Sequence, residues 1–294
     1  MKGQGSAVAR ARIHRHRGGR VERVRDALAV EEPLELRLAW QEPSGPRTAA
    51  VAVTMRTPGD DFELVAGFLR GEGILRNRGL LWEMTYCRDG AAEQAYNVVE
   101  ARLRAGVRVD EERLRRNFYT TSSCGVCGKA SLEAVEAQGC ATLPPGVPVV
   151  DPELVPLLPD RLREAQGVFE DTGGLHAAGV FDAEGRLLLV REDVGRHNAV
   201  DKVVGRLFLD GELPASDRVL VVSGRASFEI VQKAVAAGIP VLVAVGAPSS
   251  LAVELATRFG QTLVGFARNG GFNVYSGEER FSGGAGDGPV AGSG

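Results

Sequence analysis

The chain has 294 residues, 44% of them apolar and 25% charged, with 35 Lys/Arg against 38 Asp/Glu for a net charge of −3. That length supports one large or two ordinary cores, and no apolar run approaches the roughly 18–20 residues of a membrane span. Four cysteines exclude a disulfide framework, and no apolar segment follows the Arg-rich start, which argues against a secretory signal and for a cytoplasmic protein without a membrane partner.

Residues 1–25 carry eight Lys/Arg and one Glu, a charge of +7, which leaves −10 on the rest. Residues 1–20 read as a disordered basic arm, open in principle to nucleic acid or to an acidic partner. A strand-rich region over 21–143 follows. Leu34, Leu36 and Leu38 alternate with polar neighbours, as do Val51 and Val53 and the run 97–103. Such alternation predicts half-buried, antiparallel strands. Asp60 and Asp61 open a helix through Phe62, Val65, Phe68 and Leu69, with acids at its positive end. Residues 129–138 are helical and stop at Gly139. Cys87 and Cys140 stand alone and read as small buried hydrophobes.

Pro144-Pro145-Gly146-Val147-Pro148 marks a linker over 144–150. An α/β pattern occupies 151–280: a helix over 152–166, strands over 176–181 and 186–190, then a helix over 196–209. Strands over 218–222, 240–245 and 262–267 alternate with helices over 226–237 and 249–259. Runs of Val and Leu between helices predict a largely parallel sheet covered on both faces. The tail, 281–294, begins with Ser282-Gly283-Gly284 and reads as disordered.

The run Tyr119-Thr120-Thr121-Ser122-Ser123-Cys124-Gly125-Val126-Cys127-Gly128-Lys129 carries the chemistry. Two thiols at this spacing converge on one point, and a nearby cation favours the reactive thiolate. Structural zinc would need two more ligands at short spacing, and no second CxxC or suitable His pair exists. A thioredoxin-like dithiol would place the pair early in a βαβ unit, where this one follows a mixed sheet. A persulfide carrier suits an exposed, Gly- and Ser-rich pair. Spacing alone does not separate the redox and carrier readings.

Three later runs stand beside the thiol pair: Thr172-Gly173-Gly174-Leu175-His176-Ala177-Ala178, then residues 192–202 (Glu192-Asp193-Val194-Gly195-Arg196-His197-Asn198-Ala199-Val200-Asp201-Lys202), then Ser223-Gly224-Arg225-Ala226-Ser227-Phe228-Glu229. Together with the CxxC run this order resembles the FdhD/NarQ family of formate dehydrogenase accessory proteins, over roughly residues 20–280. The resemblance implies a sulfurtransferase. It would take sulfur from a cysteine desulfurase and deliver it to the molybdenum cofactor, bis(molybdopterin guanine dinucleotide), before that cofactor enters formate dehydrogenase. It further implies that Cys124 carries the persulfide and Cys127 assists, that no metal is held, that the chain is a homodimer without a nucleic-acid partner, and that the larger domain is α/β and cytidine-deaminase-like, three-layered, beside a smaller mixed α+β region.

The residues give this a physical basis. Ser223, Gly224 and Arg225 join a strand to a helix, where amide groups, the helix dipole and a guanidinium favour phosphate. Gly246-Ala247-Pro248-Ser249-Ser250 repeats that arrangement at the next junction. Both lie at carboxyl ends of strands, where open α/β sheets bind ligands. Phe266, Ala267, Arg268, Asn269, Gly270 and Gly271 offer a ring, a cation and a permissive backbone, and by resemblance contact the cofactor. His176 and His197 are candidate proton carriers or donors. Glu192 and Asp193 suit a helix cap as well as catalysis. A cofactor-binding chaperone without sulfur chemistry, and a dithiol oxidoreductase, are the rival readings.

Overall fold

The computed structural model describes residues 6–87, 96–109, 132, 135, 136 and 139–282. Cys124 and Cys127 lie outside the described residues, as does most of the helix expected over 129–138.

The basic arm is a β-hairpin from its eighth residue on, not a disordered segment. Strand β1 (Val8–Arg17) pairs antiparallel with β2 (Arg20–Ala29) through the turn Gly18-Gly19, both glycines at positive φ as a two-residue hairpin turn requires. Its arginines alternate with Ala9, Ala11 and Ile13, a period-2 pattern that the charge count obscures.

Strands β3 (Glu32–Glu42), β4 (Gly45–Arg56), β5 (Leu81–Tyr86) and β6 (Val98–Leu103) form a sheet in the order β4-β3-β6-β5. It is not wholly antiparallel, because β3 and β6 run parallel. A register shift near Leu36 buries both Val51 and Ala52 and turns Val53 outward, 51% exposed. Leu34, Leu36, Leu38, Val99 and Ala101 of this sheet pack on Leu64, Val65 and Leu69 of α1 (Asp61–Gly71).

A second sheet has the order β12-β11-β10-β9-β7-β8. Its strands are β7 (His176–Phe181), β8 (Leu187–Asp193), β9 (Val219–Val222), β10 (Val241–Ala244), β11 (Thr262–Arg268) and β12 (Gly271–Ser276). Only β9, β10 and β11 are mutually parallel; β7, β8 and β12 run antiparallel to their neighbours. The expected parallel sheet is therefore mixed. Alternation sorts its core into two faces. Leu220, Val222, Leu242 and Ala244 meet α4 (Arg196–Asp210), α5 (Phe228–Ala236) and α6 (Ser250–Phe259). Val219, Val221, Val241 and Val243 meet Val155 and α2 (Leu158–Glu164). The helix expected over 152–166 is a 3-10 turn followed by α2, and a further short helix, α3 (Gly167–Thr172), precedes β7.

Leu132, Val135 and Leu143 join the core of this second domain, and Leu143 N–H donates to Phe259 O at 2.9 Å. The segment behind the thiol pair is thus seated on the α/β domain. Buried Arg280 donates to carbonyls of Pro144, Val147 and Gly260, which pins the linker, and Phe281 bridges to Val150. Cys87 and Cys140 are half-buried.

The two regions meet where α1 crosses α4. A Cβ on Gly67 would lie 1.9 Å from Asp201 O, and one on Gly205 1.8 Å from Glu63 O, so the helix backbones touch. Around that contact runs a buried charged seam. Asp193 is fully buried and accepts from Lys202 Nζ at 2.8 Å, Thr57 N–H at 3.1 Å, Gly195 N–H at 2.9 Å and Asn198 Nδ2 at 2.9 Å. Lys202 also donates to Thr57 O, and Asn198 donates to Met55 O. The end of β4 is thereby fastened to the start of α4. Asp201 pairs with Lys233 at 2.6 Å, and burial pushes its carboxyl up to about 6 against the pull of that ammonium. On β4 itself, Arg56 forms a two-point pair with Asp61 at 3.0 and 3.1 Å. Asp61 therefore serves the strand end as well as the helix.

Removing one member of a buried pair leaves an uncompensated charge, at a cost of about 3–5 kcal/mol. Lys202→Met is expected to lower stability by that amount in urea unfolding, and the double variant Asp193→Asn/Lys202→Met by less. An unchanged midpoint for the single variant would show that the seam does not hold the regions together.

Candidate functional site

The carboxyl ends of β9, β10 and β11 are laced side by side. Gly246 N–H donates to Gly224 O at 3.0 Å, Ser249 N–H to Ala226 O at 3.0 Å, and Phe266 N–H to Gly246 O at 3.1 Å. A methyl on Gly246 would sit 2.9 Å from Arg225 Cγ and 3.2 Å from Arg225 Cα, so only glycine lets the β10 loop lie against the β9 loop. Ser223 is used structurally: its N–H donates to Ala177 O and its hydroxyl accepts from Ala177 N–H at 2.9 Å, which prolongs the β7–β9 pairing. Its hydroxyl is thus held at the β7–β9 edge, and the amides and the guanidinium of the following turn are what that junction offers a phosphate.

His176, at the start of β7, and Arg196, at the start of α4, flank the same turn; a methyl on Gly224 would lie 3.6 Å from His176 Nδ1 and 3.8 Å from Arg196 Cδ. His197 Nε2 lies 3.1 Å from Ser227 Oγ, joining the beginnings of α4 and α5. Ser227 also bonds Glu229, whose carboxylate is 3.8 Å from His197 Nε2. If the serine gives its single hydroxyl proton to Glu229, it accepts from His197 Nε2–H, and that assigns the tautomer. Gly195 and Ser227, the residues before α4 and α5, make no side-chain cap bond, although the Glu229 carboxylate accepts its own N–H in the first turn of α5; Ser249 caps α6 by accepting from Ala252 N–H.

Both imidazoles are disfavoured as cations. Burial and then the Arg196 guanidinium lower His176, and burial, Arg196 and Lys233 lower His197 to about 4. Burial opposes ionisation of Glu229, but its own N–H, the Ser227 hydroxyl, His197 and Arg196 outweigh this and hold the carboxyl low. The positive charge of the mouth therefore resides on arginines. Arg225 is exposed and Arg196 Nε is buried, and among the described residues neither that Nε nor the Arg225 side chain has a hydrogen-bond or ion-pair partner.

The structure brings His176, His197, Gly224 and Arg225 together, with Phe266 adjoining through Gly246. Arg268, Asn269, Gly270 and Gly271 run outward: Arg268 pairs with Gly271, and Asn269 and Gly270, at φ 53° and 76°, make the two-residue turn of the β11–β12 hairpin. Arg268 stands 5.6 Å over the Phe266 ring, and Phe266 itself has φ 54°. Ala267 is buried in the core on the α2 side. Arg196, Ser227 and Glu229 belong to the same cluster. They stand inside the quoted sequence runs, but only the fold shows that those runs converge.

Arginines without acidic partners and helix starts gathered at the carboxyl edge of a sheet are the arrangement by which α/β proteins accommodate anionic ligands. The comparisons make this particular. The FdhD/NarQ family description matches residues 29–282. The chain is 54% identical over 281 residues to the sulfur carrier protein FdhD of Streptomyces avermitilis, covering 95% of this chain and 97% of that one. It is 50% identical over 284 residues to the protein of that name in Mycobacterium tuberculosis, covering 95% and 100%. The chain belongs to the FdhD/NarQ family. Its fold is shared with the crystal structure of a Desulfotalea psychrophila protein described as a formate dehydrogenase accessory protein, at TM-score 0.70 and 24% identity over 94% of this chain and all of that one. No described helix is long and apolar enough to cross a membrane.

The folded-state value for His197 lies below the ordinary 6.5, so folding favours the neutral ring. Its contribution to stability is full above pH 6.5 and fades as pH falls toward 4. NMR titration is expected to show the His197 ring neutral at pH 5.5, and His197→Gln to lose part of the acid-side slope of stability.

Proposed function

We propose that Cys124 carries a persulfide and that the arginine-lined mouth holds the molybdenum cofactor that receives its sulfur. Family membership carries the activity: the chain is a sulfurtransferase acting in molybdenum cofactor and formate dehydrogenase maturation. The observation that carries the site reading is the convergence of Arg196, Arg225 and the starts of α4 and α5 at the laced strand ends.

The thiolate of Cys124 attacks the sulfane sulfur of a cysteine desulfurase persulfide, whose cysteine leaves as a thiolate. Attack by Cys127 on the inner sulfur then forms the Cys124–Cys127 disulfide and releases the outer sulfur as hydrosulfide with the bonding electron pair. A thiol reductant restores the pair. The covalent chain limits where this occurs: Cys124 is eight residues before Leu132, at most about 29 Å of extended backbone, and Leu132 is fixed in the α/β core.

Phosphates of the bis(molybdopterin guanine dinucleotide) substrate would meet Arg225, Arg196 and the α5 N-terminus. Phe266 and Arg268 offer a stacking surface beside them. Neutral His176 and His197 give hydrogen bonds there without adding charge. The strand order β8-β7-β9-β10-β11, a hairpin followed by three parallel strands between helical layers, supports a cytidine-deaminase-like architecture. A cytoplasmic homodimer is part of the same reading.

Incubation with desulfurase and cysteine should add one sulfur, roughly 32 Da, to the intact protein, reversibly by reductant and not in Cys124→Ala. If Cys124→Ala gains the same mass, another residue is the carrier. Replacing a charge-assisted phosphate contact costs about 1.5–3 kcal/mol, so Arg225→Ala should weaken guanosine diphosphate binding by about tenfold or more in calorimetry.

A further inference from the structure

The β1–β2 hairpin carries seven arginines against Glu22 and Asp26, a net charge of +5 in a chain of −3 overall. Strand alternation divides its side chains. One face holds Ala11, Ile13, Val24 and the Arg15–Asp26 pair at 3.4 Å, all half-buried. The other presents Arg10, Arg12, His14 and His16 on β1 and Arg23 and Arg25 on β2, all exposed and without an acid among them. Arg12 lies directly opposite Arg25, and His14 opposite Arg23, which donates to it at 3.1 Å. Like charges opposed across a ladder destabilise a hairpin, and a two-stranded ribbon is marginal by itself. None of these four arginines has an acidic partner among the described residues. The arrangement makes sense when an external anion neutralises the face.

Size and position choose the anion. From Arg10 to His16 the face runs about 20 Å at ~3.4 Å per residue, several times the span of a diphosphate, so the ligand is a macromolecular surface. The face carries no Phe, Tyr or Trp on which bases could stack, which favours an acidic protein surface over a nucleic acid. The hairpin root also adjoins the mouth: Ala29 Cβ lies 3.4 Å from where a Gly174 Cβ would be, two residues before His176. A partner seated on the hairpin stands over the strand ends.

We propose that this cationic face docks an acidic surface of the apoenzyme that receives the cofactor, bringing its entrance to the mouth. The proposal rests on the reading of the mouth as the cofactor site. Its test is binding of the full chain to purified apo-formate dehydrogenase by interferometry, from about 50 to about 300 mM NaCl. Wild type is compared with Arg10→Glu/Arg12→Glu/Arg23→Glu/Arg25→Glu, with the corresponding Gln set, and with Arg17→Glu/Arg20→Glu at the tip of the other face. Circular dichroism checks that each variant folds. Expected are wild-type affinity falling steeply with salt, at least tenfold weaker binding by the Glu set, a flatter salt dependence in the Gln set, and a tip variant within twofold of wild type. Sulfur uptake by Cys124 should be unchanged in all of them. Equal binding by all variants, no binding by wild type, or tighter wild-type binding to duplex DNA or to a second copy of the chain would overturn the proposal. Loss of sulfur uptake in every protein, with apoenzyme binding still dependent on the face, would instead count against the Cys124 reading.

Discussion

Everything at the mouth depends on the buried ion pair between Asp193 and Lys202. Asp193 ends β8, Lys202 lies within α4, and their joint partners, Thr57 and through Asn198 Met55, lie at the end of β4. A carboxylate with no exposure persists as an anion only when its oxygens are well occupied, and here four donors supply that. The pair thus fixes where α4 begins, and with it Arg196 and His197. One polar cluster joins the two regions and sets the address of the ligand-facing residues.

The same economy appears along α4. Its first turn faces the mouth, its middle carries Lys202 and Asp201 into the seam, and Val200, Val203, Val204 and Leu207 cover the second sheet. Phe208 reaches the core of the first region. A disturbance in the seam is transmitted to the mouth by rigid displacement of one helix. Neutral His197 suits this position, because a charged ring beside Arg196 and Lys233 would push the α4 and α5 starts apart.

The apolar pattern made the core legible. Leu34, Leu36 and Leu38 announce β3, and the Val/Leu runs announce β9 and β10 with both faces buried. Charges were harder to read. Asp193, Asp201 and Lys202 stand in a motif that looks like a site, yet they form the seam, and a sequence does not show which charges are desolvated together. The hairpin escapes a composition-based reading because the arginine count outweighs the Ala/Arg alternation of β1. The parallel β3–β6 pairing and the edge strand β12 rest on long-range contacts with no local signature. For the site, His176, His197 and Arg225 were found as separate motifs. Their meeting, with Arg196, Ser227 and Glu229 among them, is a product of topology.

The crossing of α1 and α4 has a consequence for how such a chain can change over time. Gly67 and Gly205 set a contact of backbone on backbone, with Cβ positions under 2 Å from carbonyl oxygens. In a side-chain core, a larger residue on one helix is accommodated by a smaller one opposite, and drift proceeds in compensating pairs. At this crossing there is no side chain left to shrink. Neither helix can pay for a change in the other, so the two regions are bound to a common history even where their surfaces diverge.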